Sequence, residues 1–146
     1  MSKQTKGFTL IELMIAVAIL ALLSALAIPS YTRYSDRTYR SEAMADLLDC
    51  AQALERRASQ TFDYLGAAVG GADDGALDPA VCTPESATRY NITIVGGAAA
   101  FQLTATPIGE IDDGRIVTYG SNGARGWDEN DDGDVADAGE DDWEES

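Results

Sequence analysis

The sequence contains no histidine, which removes imidazole acid–base chemistry and most zinc sites. It holds two cysteines, Cys50 and Cys82, so no paired-cysteine metal motif is available. No nucleotide-binding glycine loop and no nucleophile elbow occurs. Acid pairs at Asp73-Asp74 and Asp112-Asp113 sit beside glycines in expected turns, not in a catalytic frame. An enzyme reading is therefore rejected. Positive charge is scarce, with 10 Lys and Arg against 25 Asp and Glu, a net −15. Such a surface repels nucleic acid and anionic lipid, because both binding modes rely on Lys and Arg. Proline and glycine are missing between Pro29 and Gly66, so nothing obliges a helix there to stop before about residue 60.

The stretch that is present, and organises the chain, begins at Gly7. From Phe8 to Pro29 the 22 residues include only Thr9, Glu12 and Ser24 as polar ones. At about 1.5 Å per residue such a helix spans about 33 Å, enough to cross a bilayer core of about 30 Å. Lys3 and Lys6 precede it without an acid, which places the amino end in the cytoplasm and everything after Pro29 outside. An ordinary secretory signal cut after Ala27 or Ser30 leaves Glu12 unexplained, since a carboxylate within a span is costly and is a functional candidate by default. A cut between Gly7 and Phe8 creates a cation four residues from Glu12, and in a packed filament that amine can meet Glu12 of a neighbour.

Gly7 followed by Phe8-Thr9-Leu10-Ile11-Glu12-Leu13, after a basic leader and before a long apolar run, resembles the class III signal of type IV pilins and pseudopilins. Pro29 also stands where that family carries a helix-kinking proline. The resemblance implies that a prepilin peptidase cuts after Gly7 and N-methylates Phe8, and that Glu12 guides assembly. One departure is Ala21, where many pilins have a helix-weakening glycine. Loss of the leader and its two lysines moves the charge from −15 to −17 before the new amino terminus is counted.

After the membrane stretch the helical period continues. Ala43, Leu47, Cys50, Ala51, Leu54 and Ala58 form one apolar stripe, with Arg37, Arg40, Glu42, Glu55 and Arg56 largely off it. Tyr31 and Tyr34 sit where an interfacial aromatic belt is expected. One helix from Phe8 to about Ser59, roughly 80 Å long and bent at Pro29, is the economical reading. On the oxidising outer side Cys50 and Cys82 form a single bridge or stay as two buried thiols; a bridge closes a loop of about 33 residues worth roughly 3–4 kcal/mol.

Residues 61–87 hold four glycines and two prolines and read as a loop, with Thr61-Phe62-Asp63-Tyr64 packing back on the helix. Alternation then predicts strands at Tyr90–Val95, Phe101–Thr106 and Arg115–Tyr119, with a tight turn at Ser121-Asn122-Gly123. The second of these resembles the F-x-L-x-A-x-P strand of many minor pilins. The expected fold is α+β: a long kinked helix whose second half packs on a three- to four-stranded antiparallel sheet. The chain divides into a leader (1–7), a membrane and polymerisation segment (8–30), an amphipathic helix half (31–60), a connection (61–87), a sheet (88–123) and an acidic carboxy-terminal region (124–146).

The last 20 residues carry 11 acids and no Lys or Arg. Within them Asp128 to Val135 reads D-x-N-x-D-G-x-V, the first half of a calcium loop of the EF-hand type. Position 12 is Gly139 instead of an acid, with Glu140 and Asp141 just beyond. The expected ligands are Asp128, Asn130, Asp132, Asp134 and Glu140 or Asp141, around Ca2+. The alternative is a solvated, self-repelling tail, against which Trp127 and Trp143 offer apolar area to bury. Some pseudopilins hold calcium in a similar loop.

The resemblance implies a structural subunit of a type IV pilus, a minor one on the strength of Phe101–Pro107 and the acidic tail. Its partners are then other pilin subunits, a prepilin peptidase and the inner-membrane assembly machinery, with a membrane stage before the surface pilus. Adhesion and twitching motility are the roles such filaments serve. The alternatives are a pseudopilin of a type II secretion system and a membrane-anchored acidic binding module that never polymerises.

Overall fold

The computed structural model describes residues 8–109, 115–137, 139–140 and 143. The leader 1–7, the acid pair Asp112-Asp113 and the proposed ligand Asp141 lie outside them. Two compact units are present, Met1–Ser35 and Asp36–Ser146. One helix, α1 (Leu10–Thr61), contributes to both and continues through Pro29. It is the one helix among the described residues long and apolar enough to cross a membrane by length and composition.

In the first unit the large apolar side chains from Phe8 to Ile28 are all more than half exposed. Nothing within the unit covers them, as expected of a segment whose solvent is lipid or neighbouring helices. Two hydroxyls, whose alternative in an apolar setting is an unpaired donor, turn back onto the helix. Ser24 Oγ donates to Leu20 O at 2.8 Å and Thr32 Oγ1 to Pro29 O at 3.1 Å.

The second unit is a helix laid on a sheet. Five antiparallel strands follow in spatial order: β1 (Asp74–Ala76), β2 (Tyr90–Gly96), β3 (Phe101–Pro107), β4 (Val117–Gly120) and β5 (Arg125–Trp127). In β2 and β3 every second side chain is buried, so Tyr90, Ile92, Ile94, Phe101, Leu103 and Ala105 share one face. That face meets the helix stripe of Ala43, Leu47, Cys50, Ala51 and Leu54 in one core, joined by Val117 and Trp127. Ala58, at the end of the stripe, is only half-buried.

The sheet exceeds the expected three to four strands at both edges. β1 lies inside the glycine- and acid-rich connection, and β5 inside the acidic region, each three residues long with a central glycine. β1 carries no strand former and β5 only Trp127, so pairing decides both, Gly75 opposite Ile94 and Gly126 opposite Thr118. The third predicted strand starts at Val117, two residues later than expected, and α1 ends at Thr61.

Arg40 corrects the sequence reading of a polar face. It is buried, its guanidinium 3.8 Å from the centre of the Trp127 ring, with Arg115 5.5 Å from the same ring. Asp46 on the same helix is buried too, its carboxylate accepting the amides of Glu85 and Ser86 at 3.1 and 2.8 Å. The Cys50–Cys82 disulfide forms, with Cα atoms 5.3 Å apart. Together with Asp46 it ties the connection to α1. Of the four residues expected to fold back on the helix, Tyr64 does so and Phe62 does not. Tyr64 meets Phe101 edge-on at 4.9 Å and donates its hydroxyl to Glu55 at 3.1 Å, while Phe62 is 88% exposed.

Candidate functional site

Two places concentrate chemistry. The first is the start of α1. Thr9 donates to Glu12 Oε2 from its backbone nitrogen and from its hydroxyl, both at 2.8 Å, and Glu12 N donates back to Thr9 Oγ1 at 3.3 Å. This is a capping box, in which a Thr and a Glu three residues on satisfy the orphan donors of a helix start. The carboxylate also faces the positive end of the helix dipole. Sequence reasoning treats Glu12 as an unsatisfied charge awaiting a partner, although its T-x-x-E spacing from Thr9 is the signal of a cap. Among the described residues Oε1 takes no hydrogen bond, so one oxygen is held and the other is open. Phe8, 90% exposed, directly precedes this cap, and Gly7 lies outside the described residues.

The second place is the loop after β5, which is folded onto the sheet. Asp128 is fully buried and accepts the amides of Asp132 and Gly133 at 3.2 and 2.9 Å. Glu140 is buried as well, its Oε1 accepting from Glu129 N at 3.1 Å and from Asn130 N at 3.3 Å. The turn uses left-handed backbone at Asp131, Gly133 and Gly139. Val135, the apolar anchor of the motif, rests over Gly126: a Cβ there meets Val135 side-chain atoms at 2.9 Å. Trp143 packs on Tyr119 with centroids 5.9 Å apart and donates its indole N–H to Thr118 O at 3.3 Å. Both tryptophans therefore dock on the sheet.

Of the expected metal ligands, Asp132, Asp134 and Glu140 offer oxygens that all lie within 4.8 Å of one another. Asp128 and Asn130 are turned to other work. Asn130 Oδ1 accepts the Asp132 amide at 2.9 Å, and its Nδ2 donates to Asp132 and Asp137. A carboxylate oxygen has a second lone pair, so accepting an amide does not bar it from a cation. The donor set is all oxygen, the chemistry hard cations such as calcium take. Three of the five described ligands are thus brought together.

The arginines of the head are largely occupied by neighbours. Arg40 and Arg115 stack on Trp127, Arg125 lies 4.9 Å from the Trp143 ring, and Arg89 pairs with Glu42 and stacks on Tyr39.

Comparison with known proteins adds the following. Residues 2–28 match a family model described as the prokaryotic N-terminal methylation motif. Residues 29–115 match one described as the type IV minor pilin ComP, DNA uptake sequence receptor. Two fimbrial proteins of Pseudomonas aeruginosa are each 49% identical over 109 residues, covering 71% of this chain. The chain spans 61% of the length of those relatives. A type IV major fimbrial protein FimA of Dichelobacter nodosus is 34% identical over 128 residues, 85% of this chain and 77% of its own length. No solved structure matches.

Proposed function

This chain belongs to the type IV pilin family, a structural and not an enzyme family, and from that premise we propose that it is an assembling subunit of a type IV pilus. The observation that carries the proposal is an exposed apolar helix whose one carboxylate is half-satisfied. A prepilin peptidase cuts after Gly7 and methylates the Phe8 amine. Thr9 fixes Glu12 through Oε2, leaving Oε1 to receive the Phe8 amine of a neighbour, so a costly group in lipid becomes an ion pair in the filament. Before assembly the amino end is cytoplasmic, the apolar segment spans the inner membrane and the head is periplasmic; the assembly machinery then moves the subunit to the surface. Substituting Glu12→Ala leaves membrane insertion intact and abolishes recovery of the chain in sheared surface filaments. Undiminished recovery contradicts the charge pairing.

The minor class is the finer reading, supported by the Phe101–Pro107 strand, the acidic tail and the description of the matched family. A major subunit is the second reading, favoured by the name of the D. nodosus relative that shares most of this chain. Counting copies of the chain in purified filaments by quantitative mass spectrometry separates the two. The DNA-receptor role described for the matched family does not come over on physical grounds. In a head of net negative charge, Arg40, Arg115 and Arg125 lie over aromatic rings and Arg89 pairs with Glu42, which leaves few cations for phosphates.

In the acidic loop the proposal is a structural calcium ion on Asp132, Asp134 and Glu140, with Asp128 and Asn130 shaping the turn beneath it. Its effect is to offset carboxylate repulsion and hold Trp143 on β4. Calorimetry of residues 35–146 then shows heat on calcium addition and a melting temperature lowered by chelator. Neither signal means the loop stands without metal.

A further inference from the structure

We infer that in the membrane stage Arg33, flanked by Tyr31 and Tyr34, binds the phosphate of an anionic phospholipid in the leaflet opposite the leader, with residues 13–32 filling the hydrocarbon. The inference rests on the membrane stage of the pilin reading and not on the filament. Residues 8–35 carry two charged side chains, Glu12 and Arg33. They stand 21 residues apart, about 32 Å along the helix, against a hydrocarbon core of about 30 Å. Of the polar residues between them, Ser30, Tyr31 and Thr32 lie at the Arg33 end, and Ser24 and Thr32 spend their hydroxyls on helix carbonyls. Counting the span from Phe8 to Pro29 instead sinks Glu12 about 6 Å into the hydrocarbon, and the helix start with it. The helix start disfavours that depth. Its cap serves Thr9 N and Glu12 N, and Leu13 N reaches Thr9 O, but Leu10 N and Ile11 N have no intrahelical partner and need water.

The other end suits a headgroup layer. Tyr31 and Tyr34 are each 72% exposed and, three residues apart, share a side of α1, the placement of interfacial aromatics. Arg33 is exposed beside them, with no hydrogen bond, ion pair or ring contact among the described residues. In a chain of 25 acids an arginine left without one points to a partner outside the protein. A guanidinium fork matches two phosphate oxygens, and its apolar stem can lie along hydrocarbon while the head reaches outward. The next charges, Asp36 and Arg37, cancel, so Arg33 sets the local sign. A zwitterionic lipid supplies its own ammonium to its phosphate, whereas an anionic one adds net attraction for a cation at the surface. The acidic remainder of the chain is repelled by the same lipid, which confines the attraction to this belt. Leaving the membrane then means breaking the Arg33 contact as well as moving Glu12.

Two measurements on the full chain test this. In mixed micelles of phosphatidylglycerol and phosphatidylcholine, native mass spectrometry counts the lipid that stays bound. Phosphatidylglycerol is retained in preference, and Arg33→Gln lowers that preference about fivefold, the weight of one cation at an anionic surface. Arg33→Lys keeps it, and Arg56→Gln, at an exposed arginine of the second unit, leaves it unchanged. No preference in wild type, or an equal loss in the Arg33 and Arg56 variants, overturns the inference. Depth is read with nitroxides on single cysteines placed along residues 15–28 in vesicles of the same two lipids; Cys50 and Cys82 do not react, being joined. Oxygen accessibility peaks at Leu22 or Leu23, midway between the two charges. A peak at Ala18 or Ile19, the middle of a span counted from Phe8 to Pro29, overturns the inference as well. Wild-type chain that alkaline carbonate strips from vesicles sinks the membrane stage itself, whereas an inserted chain without these signals sinks this inference alone.

Discussion

At the scale of single residues the head depends on side chains that are missing as much as on those present. Gly126 has no room for one: a Cβ there meets Thr118 Oγ1 at 2.7 Å and Val135 at 2.9 Å. Gly126→Ala should thus destabilise the head by about 1–3 kcal/mol through overpacking. Val135→Ala makes space, so the double variant should cost less than the two single losses together, by about 0.5 kcal/mol or more. Urea denaturation of the four proteins measures this, and strict additivity contradicts the placement of Val135. Tyr64 gives a titration signal. Burial pushes its phenol up from the ordinary value, and the Glu55 carboxylate that accepts its hydrogen adds to the shift. The folded state therefore holds the proton more tightly than the unfolded one. That contribution is complete below about pH 10 and is lost as pH rises through the folded pKa. Melting temperatures followed into alkali should fall less steeply for Tyr64→Phe than for wild type; equal slopes refute the coupling.

At the scale of elements, the connection between helix and sheet has only one short strand of its own among the described residues, and its later part is tied to α1 by a disulfide and by Asp46, its start by the Tyr64–Glu55 and Arg57–Gly66 hydrogen bonds. The Cys50–Cys82 bridge closes a separation of 32 residues. Cys50→Ser with Cys82→Ser should lower unfolding free energy by about 3–4 kcal/mol on the loop-entropy account. Reduction of wild type should produce the same loss in a denaturation series. A change under about 1 kcal/mol means that the hydrogen bonds to α1, those of Asp46 with Glu85 and Ser86 foremost, hold the segment without the bridge. The edge strands obey the same logic. β1 and β5 exist because β2 and β4 present paired backbone to them, and a short acidic or glycine-containing edge resists further strand addition.

For the whole molecule, charge decides which partners are excluded. Net charge is −15 with the leader and −17 without it. Duplex DNA mixed with the soluble head near about 0.1 M salt should show no mobility shift, whatever its sequence. A sequence-selective shift is the result that overturns this and brings the DNA-receptor description of the matched family to this chain.

Much of the fold is legible in the residues alone. The apolar run with Glu12, the unbroken helix, the alternation of β2 and β3 and the even pair of cysteines are local signals, carried by spacing along the chain. The capping box of Thr9 and Glu12 is equally local, and it is overlooked when the carboxylate is weighed as a charge and not as a cap. Other features have no local signal. β1 lacks strand formers and β5 has Trp127 alone, Arg40 reads as solvent-facing, and the burial of Asp128 with two amides on its carboxylate is not visible in its spacing. Each depends on a partner brought near by packing: Arg40 on Trp127, Asp46 on an amide 40 residues away. Periodicity can tell which face of an element is apolar. Which buried polar group finds a partner, and which edge finds a strand, follows only once the helix and the sheet have closed on each other.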